Sequence, residues 1–190
     1  MIFRVDDNGL MYRINILKNE EDTFLKAQKK GKIKYIKVEP DELPKLETLQ
    51  TTKKSFYKIV DGKIVIDESR VAQEWQKDKL KEIERYIYRY YPQSKQNSDL
   101  ADKLYYENTL KARGFENLEQ TIVTKIIAFE SGKNFDELLS DIADENKEAI
   151  LQLVKVGIRV AWVQKCKAEL KTALLENREP EYPVYPLEDG

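Results

Sequence analysis

The side chains with the clearest chemical potential are the cations and aromatic rings of Arg85-Tyr86-Ile87-Tyr88-Arg89-Tyr90-Tyr91. Interleaved arginine and tyrosine can stack on single-stranded nucleic-acid bases while neutralising phosphates. Tyrosine and arginine are also enriched at the centres of protein interfaces. Alternatively, tyrosines at a helix end pack on neighbouring elements while the arginines stay in water. The chain carries 33 basic and 34 acidic side chains, and this near-neutral charge weighs against the nucleic-acid reading.

Most side chains that run enzymatic reactions are scarce or absent. The chain contains no histidine, so the commonest general base is missing, and Cys166 is its single cysteine. Ser55 and Lys58 match an S-x-x-K spacing, but a strand is predicted there and would point the two side chains to opposite faces. Cys166 lies in an apolar run and is predicted to be a small core residue. We therefore expect no enzymatic activity.

A metal site would have to use oxygen ligands, because histidine and paired cysteines are missing. Residues 6–9 (Asp-Asp-Asn-Gly) lack the spaced acids of a calcium loop, so a turn is expected. Acids near a predicted helix start are favoured by the helix dipole alone; they are Asp141, Asp144, Glu145 and Glu148. A carboxylate enzyme with Mg²⁺ is the remaining catalytic alternative. The glycines are too scattered to cradle a nucleotide phosphate, so no cofactor is expected.

The apolar pattern changes near residue 68, and residues 1–68 are predicted to form a β-rich module. Short runs rich in β-branched and aromatic residues predict strands; they are Met1–Val5, Leu10–Leu17 and Ile33–Val38. The Asp-Asn-Gly at 7–9 predicts a turn between the first two. Asp61-Gly62 lies between two further β-prone runs and predicts a hairpin with a type I′ turn. A short helix is predicted over residues 20–30.

Residues 69–178 are predicted to form a helical bundle. The first helix begins near Asp67 or Ser69 and carries one apolar stripe of Leu80, Ile83, Ile87 and Tyr90. Pro92 ends it. Capping signals at Ser98, Asn117 and Asn134 predict three further helices, which end near Ala112, Gly132 and Ala143.

The final predicted helix runs from about Glu145 to Asn177 and is apolar on more than one face. Such a helix lies centrally in its bundle or pairs with another chain. Val156–Val163 is rich in β-branched residues, so a strand is the alternative there, but strong helix formers flank it on both sides. Gly157 costs about 1 kcal/mol relative to alanine within a helix, and its small size permits close contact with another helix.

Residues 179–190 form a proline- and tyrosine-rich tail. Pro180, Pro183 and Pro186 are spaced by three residues, which is one turn of polyproline II. The tail is therefore predicted to be extended. It is either a frayed end or a peptide that binds a groove on a partner.

These patterns together predict an α+β fold: a small N-terminal β-rich module, then a mainly helical bundle with a long C-terminal helix. Protein partners are expected, as a homo-oligomer or a larger assembly. The candidate interface residues are Tyr86, Arg89, Tyr90, Tyr91, Trp162, Tyr182 and Tyr185. No membrane association is expected, because no run approaches the roughly 20 apolar residues of a membrane-spanning helix.

Residues 56–91 combine a hairpin with the pattern V-D-G-x-I-V, Val60-Asp61-Gly62-Lys63-Ile64-Val65, and a lysine- and glutamate-rich helix that begins near Glu74-Trp75. This combination resembles small proteins encoded in the tail region of phages and prophages, including tail-fibre assembly and tail-associated proteins. The resemblance implies a non-enzymatic structural or assembly role, as a virion or tail-assembly component, and assigns no functional residue.

The same resemblance implies a location in the cytoplasm or within a virion assembled there. The start of the chain, Met1–Asp7, lacks the apolar region and cleavage site of a signal peptide, so secretion by that route is not expected. The alternative function is a nucleic-acid-associated module that uses Arg85–Tyr91.

Overall fold

The structure is a computed structural model that describes residues 1–14, 34–44 and 56–187. The fold is α+β, as predicted: a small antiparallel sheet is followed by a mostly helical region with a long C-terminal helix. The chain divides into two compact units, Met1–Lys79 and Leu80–Gly190. The boundary between them falls inside the first long helix.

The first unit contains a five-stranded antiparallel sheet in the order β3-β1-β2-β4-β5. Its strands are β1 (Ile2–Val5), β2 (Leu10–Ile14), β3 (Lys34–Lys37), β4 (Tyr57–Val60) and β5 (Lys63–Ile66). Alternating side chains on one face close an apolar core that includes Phe3, Val5, Met11, Val38 and Tyr57. A single 3₁₀ turn, Pro40–Glu42, follows β3.

Both predicted hairpins are confirmed. In the first turn, the Asp6 carboxylate accepts hydrogen bonds from the backbone N–H groups of Asn8 and Leu10, at 3.0 and 2.9 Å. In the second, Asp61 and Gly62 have φ angles of 50° and 78°, and two positive φ angles are the requirement of a type I′ turn. The helix predicted over residues 20–30, and Ser55 of the S-x-x-K match, lie outside the described residues.

The beginning of the first helix, α1 (Glu68–Tyr90), is fixed to the sheet by two buried or half-buried side chains. Asp67 is 2% exposed and forms ion pairs with Lys58 and Arg70, at 3.8 and 3.9 Å. The Arg70 guanidinium lies 4.7 Å from the ring centroids of both Tyr12 and Phe56. These cation–π contacts join strand β2, the start of β4 and the helix.

Four more helices follow in the second unit: α2 (Gln93–Ala112), α3 (Leu118–Glu130), α4 (Phe135–Leu139) and α5 (Asp144–Glu176). The predicted start of α2 at Ser98 is wrong, because the helix begins at Gln93. Pro92 is its N-cap with φ −65°, so the residue that ends one helix is also preorganised to begin the next.

The two predicted capping boxes have opposite outcomes. Asn117 precedes α3 with a left-handed φ of 54° and makes no side-chain cap, so that prediction is wrong. Asn134 and Glu137 form a complete capping box with two hydrogen bonds of 2.9 Å. The helix that it begins, α4, ends at Leu139, four residues before the predicted Ala143.

Helix α5 is the central element of the second unit, and α2, α3 and α4 all pack on it. Residues 156–163 are helical, which excludes the strand alternative. At Gly157 a side chain would collide with Ile126 of α3, so the missing Cβ lets the two helices approach closely, as predicted. The core around α5 includes Leu110, Ile150, Leu153, Val154 and Ile158.

A buried ion pair joins α2 to α5. Arg159 donates from Nε and Nη2 to the two carboxylate oxygens of Asp99, at 2.5 and 2.8 Å, and both side chains are under 5% exposed. The Tyr91 hydroxyl donates to the same carboxylate at 2.9 Å. Burial alone would raise the pKa of Asp99, but the Arg159 and Tyr91 hydrogen bonds outweigh it and hold that pKa below its usual range. The network therefore ties the end of α1 and helix α2 to the middle of α5.

We expect Asp99→Asn to lower the free energy of unfolding by about 3–5 kcal/mol, because the buried Arg159 charge loses its partner. Urea unfolding at neutral pH measures this cost. The control is Lys95→Ala, since Lys95 approaches the same carboxylate at 3.3 Å from a side chain that is 41% exposed; its cost should be about 1 kcal/mol or less. Equal costs for the two variants would contradict a central role for the buried pair.

Candidate functional site

Six of the seven predicted interface residues lie in one cluster of the second unit. Tyr86 and Tyr90 of α1 and Trp162 of α5 form a surface that we call the aromatic groove. Residues 178–187, which we call the strap, lie on it. The Tyr182 ring stacks on Tyr86 with 5.0 Å between centroids, and Tyr185 stacks on Tyr90 at 5.7 Å. Tyr185 also meets Trp162 edge to face at 5.0 Å.

The strap is held on the aromatic groove by its backbone as well as by its rings. The Pro183 carbonyl accepts hydrogen bonds from the Tyr86 hydroxyl and from Trp162 Nε1, at 3.1 and 2.8 Å. Residues 179–187 form no helix or strand, and Leu187 is buried in the core around α5. The predicted peptide thus occupies a groove of its own chain.

The base of the strap is fixed by Glu169 of α5. The chain reverses at Asn177, which caps α5 with a left-handed φ of 53°. Arg178 then binds both carboxylate oxygens of Glu169, at 2.5 and 3.2 Å, and the Glu181 N–H donates to the same group at 2.8 Å. These hydrogen bonds, led by those from Arg178, lower the pKa of the Glu169 carboxyl to about 2.

The sixth residue of the cluster, Tyr91, follows directly after α1, and the seventh predicted residue, Arg89, lies in the last turn of that helix. Tyr91 is buried against Asp99, and this burial raises the pKa of its hydroxyl above the usual value. Arg89 is exposed, with its guanidinium 5.5 Å from the Tyr90 ring centroid. Within Arg85–Tyr91, Tyr88 is the exposed aromatic side chain. The other three rings of this stretch, those of Tyr86, Tyr90 and Tyr91, are stacked or buried inside the chain.

Cys166 lies in the core beside these rings. It is fully buried, in the cluster against which Tyr86 and Tyr182 pack, so its prediction as a core residue is confirmed. Burial raises the pKa of its thiol to about 11, which keeps it protonated at neutral pH.

Two of the four acidic side chains singled out near the start of α5 form ion pairs. Asp141 contacts Lys125, and Asp144 contacts Lys147 at 2.6 Å. Within residues 1–14, 34–44 and 56–187, no three His, Cys, Asp or Glu side chains are grouped as metal ligands. In the same part of the chain, each helix is too short or too polar to cross a membrane.

A second candidate site is an open groove of about 680 Å³ between α2 and α3, which we call the α2–α3 groove. Leu153, Val156, Gly157, Val160 and Ala161 of α5 form its floor. Val123 and Val160 line the groove and are 44% and 47% exposed. Three further large apolar side chains of α2 and α3 are exposed but do not line it: Leu100, Leu104 and Ile127. Sequence reasoning missed this groove, although an apolar pair four residues apart on the charged helix α2 was a visible signal.

We expect acid to loosen the strap. Because the folded pKa of Glu169 lies below its unfolded value of about 4.3, the stabilisation is complete above that pH and is lost as the pH falls towards 2. Thermal melts of the wild type and of Glu169→Gln should differ most above about pH 5 and converge near pH 2. The control is Glu130→Gln, which removes an exposed pair with Lys165. A pH-independent difference for Glu169→Gln would contradict the assignment.

Cys166 provides a direct readout of the strap. Tyr182→Ala removes a ring that packs beside the thiol, so we expect its labelling by a thiol reagent to become about tenfold faster or more, which corresponds to about 1.4 kcal/mol in the opening equilibrium. Val184→Ala is the matched control, because Val184 is on the strap but 85% exposed. Equal labelling rates in the two variants would mean that the strap does not protect Cys166.

Comparison with known proteins found no match: no family model, curated protein or solved structure matches this chain. Its function is therefore inferred from the aromatic groove, the strap and the α2–α3 groove themselves.

Proposed function

We propose that this chain is a non-enzymatic assembly protein that binds a second copy of itself through the α2–α3 groove. The observation that carries the proposal is the largely apolar lining of this open groove, in which Val123 and Val160 are 44% and 47% exposed. The helices that form its walls expose further large apolar side chains, Leu100, Leu104 and Ile127. Contiguous apolar surface is rarely left open on a monomer and usually marks an interaction site.

The form of the groove suits a helix. Two helices form its walls and a third forms its floor, where Gly157 has no side chain and Ala161 has only a methyl group. An amphipathic helix binds such a groove with apolar anchors at positions i and i+4. Helix α2 itself exposes Leu100 and Leu104 with this spacing, so each copy carries both a groove and a helix face that fits one.

The charges at the groove favour a copy over a partner of strongly one-signed charge. Lys103, Glu107 and Lys111 of α2 and Glu119 of α3 line it, which gives two charges of each sign. In a two-fold interface the same patch of one copy meets that of the other, so charged residues of a single sign around the groove would repel the second copy. A balanced rim allows each lysine to face a glutamate of the other copy.

The biological setting that we propose is a phage-type virion or tail assembly. Its support is the resemblance of residues 56–91 to small tail-region proteins of phages. A hairpin, β4–β5, that leads directly into the charged helix α1 is the arrangement on which that resemblance rests. A role in a repeated assembly also agrees with a chain that offers a self-complementary apolar groove.

Light scattering over a concentration series tests the proposal. We expect the wild type to dimerise and Leu104→Lys to weaken the dimer by at least tenfold, about 1.4 kcal/mol, because a charge would be buried at the interface. The control is Leu175→Lys, which changes a side chain of 79% exposure on α5, 14 residues beyond Ala161. A wild type that stays monomeric at about 100 μM, or equal association of both variants, would contradict the proposal.

A further inference from the structure

We infer that the aromatic groove is a binding site for an extended segment with the pattern Tyr-Pro-x-Tyr-Pro, and that the strap of a second copy can occupy it in place of the chain's own strap. The groove uses residues of α1 and α5 that do not line the α2–α3 groove. The inference therefore stands on separate contacts from the proposed function.

The ligand chemistry is defined by the segment that already occupies the groove. Tyr182 and Tyr185 are three residues apart, which is one turn of polyproline II, so their rings leave the same edge of the strap. Each ring stacks on one tyrosine of α1, and these two tyrosines are four residues apart on one helix face. The groove thus reads two aromatic side chains at a fixed interval.

Between the two rings, the groove forms hydrogen bonds with the backbone of the strap. The Pro183 carbonyl accepts from both the Tyr86 hydroxyl and Trp162 Nε1. Proline has no N–H group, so a proline-rich strap offers mainly backbone carbonyl acceptors to the hydrogen-bond donors of the aromatic groove. Val184 is 85% exposed, so we expect the groove to accept any side chain at the middle position of the pattern. Aromatic-lined grooves recognise proline-rich segments in this same mode.

The ligand and its tether are separate parts of the chain. The recognised groups lie in residues 182–187, whereas the link to α5 consists of Asn177 and the Arg178–Glu169 ion pair. The Arg178 side chain is 38% exposed, and exposed ion pairs hold a tether weakly. Release of the strap therefore leaves the aromatic walls of the groove intact, although it also withdraws Leu187 from the core around α5. Within one chain it competes at an effective concentration of millimolar order, so exchange between copies is expected where their concentration is high.

A labelled peptide with the sequence of residues 179–187 tests the binding site, with anisotropy as the readout. The full-length variant Tyr182→Ala/Tyr185→Ala keeps the groove but loses the competing rings, so we expect it to bind the peptide at least tenfold more tightly than the wild type. The control peptide has alanine at both tyrosine positions and should not bind. Added peptide should also raise the melting temperature of the variant.

Arg178→Ala is a second variant, which keeps both tyrosines of the strap. It tests the binding site if the double variant does not fold. It loosens the tether without changing the groove, so its affinity for the peptide should lie between those of the wild type and the double variant. Folded variants that bind the peptide no better than the control peptide would overturn the inference. Binding of unrelated proline peptides with equal affinity would overturn the tyrosine pattern.

Mixing whole chains tests the second copy as the occupant. Tyr86→Ala damages the groove and keeps the strap, whereas Tyr182→Ala/Tyr185→Ala does the reverse. Both partners also carry Leu104→Lys, so that association through the α2–α3 groove does not contribute. We expect a species of twice the chain mass in the mixture that neither variant forms alone. A mixture that stays at the mass of one chain, tenfold above the dissociation constant of the peptide, would overturn exchange between copies.

Discussion

The buried contact between Arg159 and Asp99 is the constraint on which the helical unit depends. It places two opposite charges, from positions 60 residues apart, in a site that excludes water. Removing one of two such charges is costly, because the other is left without solvent or partner. Since Tyr91 shares the same carboxylate, the contact sets α1, α2 and α5 in one arrangement. The aromatic groove is built from α1 and α5, and α2 and α5 form one wall and the floor of the α2–α3 groove.

Helix α5 serves both sites because its apolar residues are spread around its circumference. Gly157 and Val160 belong to the floor of the α2–α3 groove, whereas Trp162 belongs to the aromatic groove and Cys166 to the core beneath it. The sequence pattern left two interpretations open, a central helix or one that pairs with another chain. The structure gives α5 the central position within its unit, and the surface left open lies between the helices that pack on it.

The features that could be predicted from the sequence are those decided within a few residues. The Asp61-Gly62 hairpin and the Asn134–Glu137 capping box depend on local backbone angles and short hydrogen bonds, and both are confirmed. The start predicted at Ser98 is wrong because Pro92 begins α2 earlier. Helix α3 does begin after Asn117, as predicted, but Asn117 adopts a left-handed backbone angle instead of the predicted side-chain cap.

The contacts that make up the sites could not be read from local patterns. The Tyr86–Pro183 hydrogen bond joins residues 97 positions apart, and nothing near either residue specifies the other. The prolines predicted an extended tail, and residues 179–187 form no helix or strand, but the prolines carried no information about the surface on which the tail lies. Likewise, the rings of Tyr86 and Tyr90 were recognisable as contact residues, whereas their partners within the chain were not.

The position of Leu187 in the core has a consequence for synthesis on the ribosome. Strands β1 and β2 are made early and pair with close neighbours, so they can form as soon as they emerge. Leu187 follows the whole of α5, yet it is buried in the same core cluster as Leu110 and Ile150. Until translation reaches residues 183–187, the nascent helices lack one side chain of their core, and Trp162 lacks the Pro183 carbonyl and the Tyr185 ring that cover it.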